Sequence, residues 1–224
     1  MRTYDAIVVG GGRGERSALG YNKVLHSLDG QPVFAYAMAT FLSDPRCKRV
    51  IAVLSQADAT ALKAWTEREK VIVTRSGNTR SESVGNGLTK TNEEFVLVHD
   101  GARPFVEMHA VDRVVEALNA HPSVTPSVNI NDTLKRVESG KISGSVSRES
   151  LQGLQTPQGF WRETLIKAYA RDVDAPRITC DVSRVGEALG IAGVTVKGHT
   201  QSMKLTTPDD IMVLEAIARA KNRS

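Results

Sequence analysis

The chain is poor in most of the features that mark a special class of protein. It has 2 cysteines in 224 residues. Cys47 and Cys180 cannot build a disulfide framework, and a reducing, cytoplasmic setting is the simplest expectation. No long apolar run exists. The stretch from Phe34 to Leu42 is about half the length a membrane span needs, so no membrane role is expected. Tyr4–Val9 runs directly into glycines, which reads as a core strand and not as a signal peptide. Charge of one sign is also scarce. Lys plus Arg is 29 against 25 Asp plus Glu, a net +4, too small an excess to argue for a nucleic-acid partner. His26, His109, His121 and His199 share no metal-ligand spacing, so no zinc site is expected. Internal repeats, low-complexity tracts and interdomain linkers are missing as well.

What is present is an alternation. Tyr4–Val9, Arg49–Leu54, Val71–Thr74, Phe95–His99 and Val124–Val128 read as strands rich in Val and Ile, several apolar on both faces as central parallel strands must be. Between and after them lie helix-compatible segments: Val33–Leu42, Asp58–Glu69 with Asp58 as its cap, Ser81–Lys90, Glu107–Ala120, Arg162–Ala170 and Val182–Leu189. Strands at Gly193–Lys197 and Met203–Thr206 precede a last helix from Pro208 to Lys221, capped by Thr207. The pattern predicts an α/β fold: a Rossmann-like three-layer sandwich with a mostly parallel sheet. Residues 1–224 form one domain in this reading. Residues 129–150 break the rhythm. Thr133–Glu138, a Ser139-Gly140 turn and Lys141–Ser147 read as a protruding β-hairpin arm too polar to fold alone, which suggests a dimerisation arm that packs on another subunit.

Chemistry is expected where the first strand ends. Gly10, Gly11, Gly12 and Gly14 let the backbone approach a phosphate closely and aim N–H groups at it. The G-x-G-x-x-G spacing of dinucleotide-binding proteins fails, because Gly12 and Gly14 are followed by Ser17, and this argues against a nicotinamide-dependent reductase. The Gly-Lys-Ser/Thr ending of a P-loop is absent too. What remains is a glycine loop carrying Arg13, Arg16 and, later, Lys23. That concentration of cations suits a triphosphate that is cleaved, where charge builds on the leaving and nonbridging oxygens.

Gly10–Arg16 with Lys23 resembles the nucleotidyltransferase signature G-x-G-x-R followed by a lysine. Five further blocks, Gly77–Val84, Val98–Pro104, Asp132–Arg136, Gln155–Phe160 and Lys204–Asp210, make nearly the whole chain similar to the 2-C-methyl-D-erythritol 4-phosphate cytidylyltransferases. The resemblance implies transfer of CMP from CTP to a polyol phosphate in the non-mevalonate isoprenoid pathway, with Mg²⁺, in a homodimer. It implies that Arg16, Lys23, Arg148 and Lys204 are catalytic. It assigns CTP binding to Gly10, Gly11, Gly12, Gly14, Gly77, Asn78, Ser83, Asp100 and Gly101. It assigns the polyol phosphate to Asp100, Arg103, Thr133, Arg136, Arg148, Thr156 and Lys204, with Arg148 reaching the partner's site. Asp100 is also the candidate metal ligand, and His99 is read as a packed residue.

The chain departs from the family pattern at Asn22, where many members have Pro, and at Val24, Asn78 and Cys180. Two alternatives remain beside the main reading. One is a ribitol-5-phosphate cytidylyltransferase, disfavoured by Asp132–Arg136. The other is a non-catalytic nucleotide-binding regulator, disfavoured by the joint presence of Arg16, Lys23, Arg148 and Lys204.

Overall fold

The computed structural model describes residues 2–12, 20–173 and 178–222. Its frame is a sheet in which β6 (Phe95–Asp100), β1 (Tyr4–Val9), β4 (Cys47–Leu54) and β5 (Val71–Arg75) run parallel in that spatial order. Side chains on a strand alternate between faces, and β1 shows both faces apolar. Ala6 and Val8 pack with Phe34, Met38 and Phe41 of α1 (Val33–Ser43). Ile7 packs against the opposite layer of α4 (Arg80–Leu88), α6 (Arg162–Tyr169) and α7 (Asp181–Leu189). With α5 (Met108–Ala117) on the α1 side, this is the expected three-layer sandwich.

Two antiparallel strands enter a sheet expected to be mostly parallel. β11 (Gln158–Trp161) lies between β6 and β7 (Ser123–Asn129), antiparallel to both, and β10 (Gln152–Leu154) pairs with β7. β11 holds Gln and Gly, residues of low strand propensity, and Gly159 is needed there. A Cβ at that position would stand 2.5 Å from Val114. A small β2–β3 ribbon (Ser27–Leu28, Gln31–Pro32) precedes α1. β12 (Val194–Lys197) pairs with β7 in parallel.

Other differences are local. The expected helix Asp58–Glu69 is two short ones, α2 (Gln56–Ala61) and α3 (Lys63–Thr66), and the cap is Ser55, whose hydroxyl accepts from the Asp58 amide. Met203–Thr206 is not a strand. It is anchored by the Leu205 amide donating to Ala102 O at 2.8 Å. The start of α8 (Asp209–Asn222) is held by Asp210, whose carboxylate accepts from the amides of Thr206 and Thr207. The arm is a separate ribbon of β8 (Leu134–Glu138) and β9 (Lys141–Val146). Its tip residues Ser139 and Gly140 both have positive φ, 50° and 77°, the geometry of a tight two-residue hairpin turn.

Candidate active site

Order along the sheet fixes where a ligand can enter. From β1 the chain moves outward to β4 and β5, then returns to the other side of β1 to make β6. Loops diverge at such a switch point and open a crevice at the carboxyl ends of the strands. A cleft of about 450 Å³ lies there. Gly10–Gly12 leave β1, Ser76–Thr79 leave β5, and Asp100 ends β6, all on its wall.

Close approach between the loops dictates the glycines. A Cβ on Gly11 would stand 2.1 Å from that of Ser76, and a Cβ on Gly77 would stand 2.2 Å from that of Glu82. The β5 loop is also stiffened from within. Thr79 caps α4 by accepting from the Glu82 amide, and the Glu82 carboxylate accepts from the Asn78 amide, a reciprocal cap. The Ser83 hydroxyl accepts from Gly77 N at 3.0 Å and donates to Thr79 O at 2.9 Å.

Charge in the cleft is one-sided. Lys23, Arg75, Arg80 and Lys204 line it against one carboxylate, Asp100, among the described lining residues. Arg80 Nε meets Asp100 Oδ1 at 3.1 Å, and Lys204 Nζ meets Oδ2 at 2.8 Å. Burial alone would raise the Asp100 pKa. Arg80, Lys204 and Arg103 outweigh it and hold this carboxyl far below the usual range. Arg80 is anchored from behind. Its Nη1 lies 2.8 Å from Asp181 Oδ2, an ion pair without hydrogen-bond alignment, while Tyr169 donates to Asp181 Oδ1 at 2.6 Å. The Asp181 and Val182 amides in turn donate to Gln158 Oε1, so α7 is fixed to β11.

Arg80 was absent from the residues expected to act, although it sits in the quoted Gly77–Val84 block. A basic residue at the first turn of a helix that opens on a crevice was the available signal. Asp181, the acid that remains beside Cys180, belongs to the same network. Cys180 itself contacts Ser183 Oγ through Sγ at 3.3 Å.

Several expected residues support the cleft without lining it. His99 is fully buried. Its Nε2 is 3.0 Å from Arg103 O and its Nδ1 is 2.9 Å from Thr156 Oγ1, which accepts from the Asp100 amide at 3.2 Å. Each group has one consistent role: Nε2–H donates to the carbonyl, and the Thr156 hydroxyl donates to Nδ1. Thr156 therefore holds Asp100 and His99 in place. Arg103 Nη1 donates to Ser202 O at 2.7 Å, with its Nε 3.8 Å from Asp100. Gly101 donates to Val9 O and is buried.

Thr133, Arg136 and Arg148 are exposed on or beside the arm, away from the cleft walls. Arg148 donates to Asn131 O. Arg16 and Gly14 lie outside the described residues. No group of three or more His, Cys, Asp or Glu suited to a metal ion occurs among the described residues.

Cations gathered over a glycine-lined crevice of a doubly wound sheet suit the transfer of a nucleotidyl group from a triphosphate to another anion, the work of a nucleotidyltransferase. The family model described as IspD, 2-C-methyl-D-erythritol 4-phosphate cytidylyltransferase, matches residues 5–220. The chain belongs to that family. A protein named 2-C-methyl-D-erythritol 4-phosphate cytidylyltransferase from Bacillus licheniformis is 35% identical over 228 residues, covering 99% of this chain and 98% of its own. One of the same name from Streptomyces coelicolor is 36% identical, covering 95% and 83%. The crystal structure of the Thermus thermophilus protein of that name superposes with a TM-score of 0.79 at 28% identity, covering 98% of this chain and all of that one.

Proposed function

We infer that the chain transfers CMP from CTP to 2-C-methyl-D-erythritol 4-phosphate, giving 4-diphosphocytidyl-2-C-methyl-D-erythritol and pyrophosphate. The observation that carries this reading is the excess of cations over the one carboxylate, Asp100, among the described residues of the cleft. In the reaction a phosphate oxygen of the acceptor attacks the α-phosphorus. A new P–O bond forms, the α–β bridging bond breaks, and the electron pair leaves with pyrophosphate. The acceptor is already an anion at neutral pH, so no general base is required. His99 suits none, since both its nitrogens are engaged and burial pulls its pKa down to about 4. Fixed cations at Lys23 and Lys204, with Arg16 by family resemblance, would stabilise the charge that develops. Lys204, beside Asp100, would orient the acceptor, and Arg103, held at Ser202 O, would support Asp100 from behind.

Base choice has a local reason. The Ser83 proton is committed to Thr79 O, so toward the cleft its oxygen only accepts. It suits the exocyclic amino group of cytosine, a donor, and repels the O4 acceptor of uracil. Gly10–Gly12, Gly77 and Asn78 would form the remaining cradle for the nucleotide.

Asp100 is the one acid on the described cleft walls and already holds two cations. That donor set is too small for a cation cage of protein alone and suits Mg²⁺ carried largely by the substrate phosphates. Such an ion would neutralise charge on the triphosphate. The exposed positions of Thr133, Arg136 and Arg148 support a homodimer in which the 129–150 arm delivers them to a neighbouring cleft. No helix among the described residues is long and apolar enough to cross a membrane, and the reading stays with a cytoplasmic enzyme acting on small anions and not on nucleic acid.

A pyrophosphate-release assay tests the function. CTP with 2-C-methyl-D-erythritol 4-phosphate should support turnover, and ribitol 5-phosphate, UTP or omission of acceptor should not. Preference for ribitol 5-phosphate would move the chain to the neighbouring activity. CTP binding without pyrophosphate release would make it a regulator.

A further inference from the structure

Asn22 stands one residue before Lys23, at the cap of the single helical turn Lys23–Leu25. Its side chain reaches two separate elements. Nδ2 lies 2.6 Å from Gly10 O, the first carbonyl after β1, and 2.9 Å from Asp58 Oδ2 in the first turn of α2. Asp58 is itself held, because the same oxygen accepts from Ser55 Oγ at 2.7 Å and its amide donates to Ser55 Oγ. On the other side Asn22 O accepts from Leu25 N at 2.9 Å, and Lys23 O accepts from His26 N at 3.1 Å. Gly10 O and the carboxylate only accept, so the amide nitrogen must face them. The bond to Asp58 is charge-assisted.

This side chain therefore joins Gly10, where β1 ends, and the turn that carries Lys23 to a third element, across 12 residues of sequence from Gly10. We propose that Asn22 is a positioning residue: its amide closes Gly10 onto Asp58 and sets the direction in which Lys23 enters the cleft. The closure stands on the hydrogen bonds alone. The consequence for turnover rests on the function proposed above.

Asn22→Asp separates the bond from the shape. It is isosteric, and it sets an acceptor against two acceptors. In the protein without nucleotide, hydrogen exchange at the Leu25 and His26 amides should become faster than in the wild type. In turnover, kcat should fall by about tenfold while the CTP dissociation constant changes by less than about threefold, the pattern of a misaimed charge and not of a lost ligand contact. The double variant Asn22→Asp with Asp58→Asn restores a donor–acceptor pair of reversed polarity at position 58, though not at the Gly10 carbonyl, and should recover part of kcat, at least about threefold over the single variant. Asn22→Ala should show the same exchange and kcat changes more mildly, which keeps the test open if the aspartate variant folds poorly. Unchanged exchange in both single variants overturns the closure. Faster exchange with wild-type kcat, or a double variant no better than Asn22→Asp, overturns the aiming of Lys23. A wild-type protein that releases no pyrophosphate from CTP would sink the proposed function, and the exchange measurement would still decide the closure.

Discussion

Asp100 and His99 are neighbours in sequence with opposite electrostatic fates. Asp100 ends β6 among three cations and stays ionised well below the usual carboxylate range. His99 points into the core against Phe41, 5.4 Å between ring centroids, and burial brings its pKa down to about 4. Above about pH 6.5 the ring is neutral in both folded and unfolded chains and its contribution is complete. As pH falls toward 4, the unfolded chain takes up the proton while the folded one does not, so stability declines. The gap amounts to about 3 kcal/mol. Denaturant titrations at pH 7.5 and pH 4 should show this loss, and a His99→Gln variant should lose correspondingly less between the two. A wild-type stability flat over that window would contradict the buried neutral histidine. Asp100 adds little to this window, because its own contribution begins to fade only near the ordinary carboxylate pKa of about 3.9, at the acid end, and is lost mostly below it. At the same scale, Asn22 has φ −66°, the value a proline ring imposes. Asn22 therefore holds a backbone angle that a proline could adopt as well.

Between elements, the decisive feature is how closely the loops after β1 and β5 approach. Gly11→Ala would press a methyl group into Ser76 and part the two loops, since overpacked contacts cost about 1–3 kcal/mol. CTP affinity should fall by at least about tenfold, with the thermal midpoint lowered by only a few degrees because the loops can part without disturbing the core. Calorimetric titration with CTP reads the first and a melting curve the second. An unchanged affinity would mean that the nucleotide does not span these loops. This scale also shows what the sequence made legible. Tyr4–Val9, apolar on every residue but Asp5 and followed by glycines, announced both the central strand and the site. Ser139-Gly140 announced the hairpin tip. β11 was hidden because Gln158 and Gly159 carry no strand signal. They are buried by the neighbours β6 and β7, distant in sequence. The break between α2 and α3 was hidden because Asp58–Glu69 keeps a helical composition through Leu62, where the backbone turns aside at φ −99°, ψ 19°. Arg80 was missed because its importance comes from two acids, Asp100 and Asp181, 20 and 101 positions away. Lys23 was legible as one of the cations that follow the glycines, whereas Lys204 was legible only through the family's motifs.

For the whole molecule, the separation of Arg148 from the cleft has a consequence for assembly. Each catalytic centre in the proposed dimer takes its core from one subunit and its arm from the other. Mixing Lys204→Ala with Arg148→Ala protein, after dissociation and reassociation, should return about a quarter of wild-type activity, because half the dimers are mixed and one of their two sites is intact. No recovery would place Arg148 in its own subunit's cleft, and Arg148→Ala protein that is active before mixing would place it outside the reaction. The more basic question is whether positive charge at the exit of β1 acts on the transition state. Lys23→Ala measured by single-turnover kinetics and by equilibrium CTP binding answers it most directly. The chemical step should slow by about two to three orders of magnitude while the CTP dissociation constant changes by less than about threefold. Equal losses in binding and rate, or a rate left intact, would contradict it.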